Sequence, residues 1–218
     1  MSEDTSQRQA RAHGVWTPAN VVTLVRILLI PVFVVVMLSP WPEWVPYTAF
    51  WESWQPWLAA AAFAIISCTD AIDGYLARSR GEVTDLGKFL DPLADKILVC
   101  SALLALIELQ VLPSWIALII IAREFIVSGL RMVASSQGTV IAASYLGKVK
   151  TVLQICAILL FTVKDSTQVL SLGTAASSAI DTVAWVVMIA AVLMTIVSLV
   201  DYLAKSRELL GFGSGGQS

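Results

Sequence analysis

Five aspartates fall within DAIDGYLARSRGEVTDLGKFLDPLAD, and four of them form two pairs, Asp70 with Asp73 and Asp91 with Asp95. A spacing of three or four residues places each pair on one face of a helix. Four carboxylates gathered together repel one another unless cations lie between them. An all-oxygen set without His or Cys suits hard ions such as Mg²⁺, Mn²⁺ or Ca²⁺. Two divalent ions would balance the four charges, an arrangement that resembles a two-metal phosphoryl-transfer site acting on a diphosphate. One aspartate at a helix end is ordinarily a cap or a solvated charge. Four at these spacings, interleaved with Gly74, Ala77 and Arg78, call for a chemical reason.

The elements that must carry them are apolar. Of 218 residues, 57% are hydrophobic and 14% charged, and the mean hydropathy is +0.79. These values lie outside the range of soluble domains. Six apolar runs have about the length a helix needs to cross roughly 30 Å of hydrocarbon: about 21–38, 57–76, 89–109, 114–134, 149–163 and 180–203. The expected fold is an all-α integral membrane protein of six transmembrane helices. Within hydrocarbon each carboxylate costs on the order of 3 kcal/mol, so the four need compensation.

Charge distribution sets the expected orientation. Arg8, Arg11, Arg78, Arg80, Lys88, Arg131, Lys148, Lys150, Lys205 and Arg207 fall at segment ends that share one side, whereas the opposite side has Lys164. By the positive-inside rule both termini are cytoplasmic, and the aspartates lie at the cytoplasmic side. The expected outer loop, SPWPEWVPYTAFWESWQPW, has no Lys or Arg and holds Trp41, Trp44, Trp51, Trp54 and Trp57, as an interfacial aromatic belt would. A functional domain is expected over residues 17–205, between a disordered N-terminus (1–16) and a flexible tail (206–218). A net charge of −2 with scattered basic residues offers nothing to nucleic acid. Cys68, Cys100 and Cys156 have no metal-ligand spacing and read as small core hydrophobes.

The pattern Asp70-x2-Asp73-Gly74-x2-Ala77-Arg78-x8-Gly87-x3-Asp91-x3-Asp95 is similar, at every fixed position, to the signature of the CDP-alcohol phosphatidyltransferase family. The resemblance implies a six-helix enzyme that transfers a phosphatidyl group from CDP-diacylglycerol to a hydroxyl and releases CMP. It implies Asp70, Asp73 and Asp91 as metal ligands and Asp95 as the base, with metal contact of its own. It also implies two Mg²⁺ or Mn²⁺ ions, and it places Asp70, Gly74, Ala77 and Arg78 at the CDP portion. The chemistry agrees: glycine permits close backbone approach and arginine offers a planar fork to phosphate. The resemblance further implies a homodimer in the cell membrane.

Relatives differ in the alcohol they accept. REFIVSGLR puts Arg123 and Glu124 deep in an apolar run, with Arg131 seven residues after Glu124 and on its face, and LGKVKTVLQ adds Lys148 and Lys150. Arg131, Lys148, Lys150 and Arg123 together suit an anionic acceptor. Each also has a structural reading, the lysines as membrane anchors and Arg123 with Glu124 as an ion pair. Asn20 and Thr23 divide similarly between CDP binding and starting a helix behind Thr17 and Pro18. These stretches, with NVVTLVR at the first run, look like the branch of the family that uses sn-glycerol 3-phosphate. Inositol phosphate and serine are the alternatives within the family. A cation transporter, the rival outside it, fits poorly with carboxylates gathered on one side and no visible inverted repeat.

Overall fold

The computed structural model describes the backbone of residues 18–39, 48–80, 85–136 and 145–209, and the side chains of 20–39, 50–69, 90, 92–135 and 145–206. The described residues are helical with short turns: α1 (Pro18–Leu38), α2 (Thr48–Arg80), α3 (Asp85–Glu108), α4 (Ser114–Ser136), α5 (Tyr145–Val163), the single turn α6 (Thr167–Leu170) and α7 (Thr174–Leu209). Helices satisfy their own backbone groups, which hydrocarbon demands. Among the described residues, α1, α5 and α7 contain stretches long and apolar enough to cross a membrane, Asn20–Leu38, Tyr145–Val163 and Thr174–Ser206. The chain is thus an all-α membrane protein.

Two expectations need correction. The tryptophan-rich segment is not all loop, because α2 begins at Thr48 and carries Trp51, Trp54 and Trp57 on helix. TAFWESW contains no helix breaker, and Pro56 costs one backbone hydrogen bond without ending the helix. The cysteines are not core residues either: Cys68 and Cys156 are exposed and Cys100 is half-buried. In lipid an apolar side chain faces the surface as readily as the interior.

The chain divides into two compact units, Met1–Ala105 and Leu106–Ser218. In the first, α1 packs on α2. Phe33 and Phe63, each 1% exposed, meet with ring centroids 5.8 Å apart. The Gln55 amide donates to the carbonyls of Val36, Met37 and Ser39 at 2.9, 3.3 and 3.0 Å. These are carbonyls that a helix end leaves without an internal partner. Gln55 against the end of α1 and Phe63 against Phe33, a turn further back, make the two helices antiparallel.

In the second unit, α5 and α7 pack along their length and α4 packs on α7. Phe161 on α5 meets Trp185 on α7 edge-on at 5.1 Å. Lys164, just beyond α5, pairs with Asp165 at 2.8 Å and Asp181 at 2.9 Å and lies 5.4 Å from the Phe161 ring centre. Burial alone would lower the Lys164 pKa, but hydrogen bonds to the two carboxylates and their charges outweigh it and raise it. Burying apolar surface between helices gains little where lipid is the solvent, so packing and these polar ties hold the helices together. Gly173 turns the chain into α7 at a φ of 96°, a region glycine enters without a side-chain penalty.

Candidate active site

The aspartate pairs lie on continuous helix, Asp70 and Asp73 near the end of α2 and Asp91 and Asp95 in the first half of α3. Their spacings of three and four are therefore realised on helical backbone. Asp95 is half-buried. The side chains of Asp70, Asp73, Gly74, Ala77, Arg78 and Asp91 fall outside the described residues. Helical spacing and an all-carboxylate donor set both fit a hard divalent cation.

Asn20 and Thr23 are each 1% exposed and Arg26 3%. With Ile30, Phe33 and Met37 they form the buried stripe of α1, polar for its first turns and apolar beyond. The helix starts at Pro18, which suits proline at the first helical position. Asn20 and Thr23 are thus inside the helix and not at its cap. Phe33 lies against Phe63 and both helices rise equally per residue. The antiparallel register therefore carries Thr23 to about the level of Asp73 on α2.

The second unit holds a buried ionic cluster. Arg123 on α4 is 7% exposed and Lys150 on α5 is 2% exposed, and both bind the same oxygen of Glu124. Arg123 Nη1 donates to Glu124 Oε1 at 3.2 Å, and Lys150 Nζ donates to it as well. Arg123 Nη2 donates to Ser198 Oγ on α7 at 2.5 Å, and its guanidinium lies 5.8 Å from the centre of the buried Tyr202 ring. Glu124's own helix turn is tied by Ser128 Oγ, which donates to the Glu124 carbonyl at 2.6 Å. Three helices thus meet in one charged knot. Two buried cations thus share one carboxylate, and their hydrogen-bond donors are of the kind that recognise a phosphate.

The four basic residues expected at an acceptor phosphate therefore part company. Arg123 and Lys150 belong to the knot, whereas Lys148 is exposed. Arg131 is exposed too and lies 5.7 Å from the Tyr202 ring centre, whereas Glu124, seven residues before it, pairs with Arg123 as expected and with Lys150. Sequence reasoning missed Ser198, Tyr202 and Gln154. Gln154 had a signal, since it follows Lys150 by four residues and shares the buried face of α5. Ser198 and Tyr202, also four apart, had one in the polar stripe they form on an apolar helix.

The described residues thus give an all-α membrane protein with carboxylate pairs at helical spacing and a buried Arg–Glu–Lys cluster. The chain matches the sequence profile of CDP-alcohol phosphatidyltransferases over residues 16–197 and is a member of that family. A CDP-diacylglycerol–glycerol-3-phosphate 3-phosphatidyltransferase of Bacillus subtilis is 42% identical over 193 residues, 88% of this chain and 95% of the relative. A probable phosphatidylglycerophosphate synthase of Mycobacterium tuberculosis is 38% identical, covering 95% of this chain and 90% of the relative. A CDP-diacylglycerol–glycerol-3-phosphate 3-phosphatidyltransferase of Salmonella paratyphi A is 39% identical over 144 residues, 64% of this chain and 72% of the relative.

Proposed function

We propose that this chain transfers the phosphatidyl group of CDP-diacylglycerol to sn-glycerol 3-phosphate, giving phosphatidylglycerol phosphate and CMP. The observation that carries it is similarity over 88% of the chain to a relative named for this donor and acceptor and over 95% to one named a probable phosphatidylglycerophosphate synthase. The buried pair Arg123 and Lys150 supports an acceptor bearing a phosphate.

The aspartates Asp70, Asp73, Asp91 and Asp95 are the residues that would hold two divalent ions, Mg²⁺ or Mn²⁺, which when bound neutralise the donor's diphosphate. Asp95 accepts the proton from the 1-hydroxyl of glycerol 3-phosphate as that oxygen attacks the phosphorus bearing diacylglycerol. The P–O bond to CMP breaks, and the electron pair leaves with CMP. Gly74, Ala77 and Arg78 take the CDP portion, with Asn20 and Thr23 beside it. Lys150 and Arg123 draw in the acceptor phosphate, with Arg131 and Lys148 at the surface. Positioning and charge neutralisation supply the acceleration, and no covalent enzyme intermediate is needed.

The same reading places six spans in the cell membrane with both termini and the aspartates on the cytoplasmic side, in a homodimer. The six long helices and the one-sided basic residues support the topology. The test is CMP release from CDP-diacylglycerol by the purified protein in detergent, with Mg²⁺ or Mn²⁺. Glycerol 3-phosphate, inositol 1-phosphate, serine or no acceptor would be supplied in parallel. Release that depends on glycerol 3-phosphate is expected. Release with another acceptor alone would overturn the acceptor assignment, and none with any acceptor from folded protein would overturn the reaction.

A further inference from the structure

Gln154 is 3% exposed, and its side-chain carbonyl oxygen has no hydrogen-bond partner. An unsatisfied buried polar atom is costly, so a position that retains one invites an account. Gln154 lies one helical turn beyond Lys150 on the buried face of α5, followed by Ala157, Ile158 and Phe161. The orphan therefore marks the border between the charged knot and the apolar part of the unit. Nearby α7 offers little to satisfy it. With Phe161 against Trp185, the antiparallel register brings Gln154 to about the level of Val192 to Thr195. Val192 has no polar side-chain atom, and the Thr195 hydroxyl already donates to the Ala191 carbonyl at 2.6 Å. A second orphan, Arg123 Nε, belongs to the same knot.

A carbonyl oxygen needs a donor, and an ionised phosphate has none to give. A hydroxyl does. Lys150 and Gln154 together present a cation and an acceptor one turn apart, roughly 6 Å along the helix axis. That pairing suits a small molecule carrying a phosphate and a free hydroxyl within a few bonds of each other. We propose that Gln154 is a specificity-determining residue for the acceptor, its side-chain carbonyl accepting a hydrogen bond from the hydroxyl of the polyol phosphate that does not react. In glycerol 3-phosphate this is the 2-hydroxyl. The assignment rests on the acceptor reading above and adds to it a residue that recognises the polyol and leaves the phosphate to the cations.

The test compares two acceptors in CMP release from CDP-diacylglycerol by the full chain: sn-glycerol 3-phosphate and 3-hydroxypropyl phosphate. The second keeps the phosphate, the chain length and the attacking hydroxyl but lacks the 2-hydroxyl. Wild type is expected to favour glycerol 3-phosphate about tenfold or more in kcat/KM. Gln154→Met, similar in length and without the carbonyl, should bring that ratio towards one by slowing glycerol 3-phosphate selectively. A structural defect would slow both acceptors together and leave the ratio alone. Gln154→Asn, which keeps the carbonyl on a shorter stem, carries the comparison should the methionine variant not fold, and its ratio should fall between the two. A wild-type ratio near one, or a ratio unchanged in the variants, overturns the assignment to Gln154 while the acceptor reading stands. The latter outcome would assign the Gln154 oxygen to a buried water. Wild type inactive with glycerol 3-phosphate would overturn the acceptor reading, and this assignment with it.

Discussion

Lys150 donates to the carboxylate of Glu124 across 26 positions of sequence, and the side chains are 3% and 15% exposed. Arg123 binds the same oxygen. Replacing Glu124 by Gln would take from two buried cations the carboxylate that they share. A loss of about 3 kcal/mol or more in unfolding free energy is expected. Removing Lys150 as well, with Glu124→Gln and Lys150→Met combined, should cost less than the two single losses added. Unfolding of the three variants in detergent checks this, and strictly additive losses would show that the contact contributes nothing.

The aspartates divide by role. Asp95→Asn should retain CDP-diacylglycerol binding and lose turnover by about 10²-fold or more, since the group proposed to take the proton is gone. Asp70→Asn should weaken both metal and CDP binding, because an amide oxygen brings no charge to a divalent ion. Metal titration separates them: wild-type affinity in Asp70→Asn would remove that residue from the ligand set.

Features that depend on neighbouring residues alone were legible in the sequence, and those that depend on another helix were not. The aspartate pairs needed only helical spacing, and α2 and α3 supply it. Among the described residues the apolar runs likewise fall on long helices, the third running one residue past the end of α3. Lys148 and Lys150 look alike in a row of letters, yet two residues on a helix point to different faces, and one is exposed while the other is buried. That separation was legible and was missed. Glu124's neighbour Arg123 was legible as its ion-pair partner, whereas Lys150 was not, because it stands on another helix and meets Glu124 only when α4 and α5 are brought together. The Gln154 orphan is of the same kind, since lacking a partner is a property of everything around the residue.

Lys164 makes stability depend on alkaline pH. Its pKa is raised above the ordinary lysine value of 10.5 by Asp165 and Asp181, despite the opposing effect of burial. The folded state holds its proton more tightly than the unfolded state. The stabilisation is therefore complete below the unfolded value and is lost as pH rises through the higher folded value. Wild type should lose stability more steeply than Lys164→Met as pH climbs beyond about 10. Unfolding midpoints collected from pH 8 upward decide it, and parallel curves for the two proteins would remove Lys164 as the source.

Gln110 takes a φ of 60° in the turn after α3, where its N–H donates to the Ile107 carbonyl at 2.8 Å and the next N–H, of Val111, donates to Leu106 at 3.1 Å. That left-handed conformation closes the helix end, but a residue with a Cβ pays roughly 1 kcal/mol to adopt it. Glycine is the usual solution at such a position. Gln110 is exposed, so its side chain has little packing to lose. Gln110→Gly should therefore raise unfolding stability by a few tenths to about 1 kcal/mol, its gain in the folded state partly offset by the greater freedom of glycine in the unfolded chain. Gln110→Val should do the reverse, because a branched Cβ fits this region worse than an unbranched one. Thermal unfolding of both variants in the same detergent gives the order glycine, glutamine, valine if backbone strain governs this turn, and a destabilised glycine variant would show that it does not.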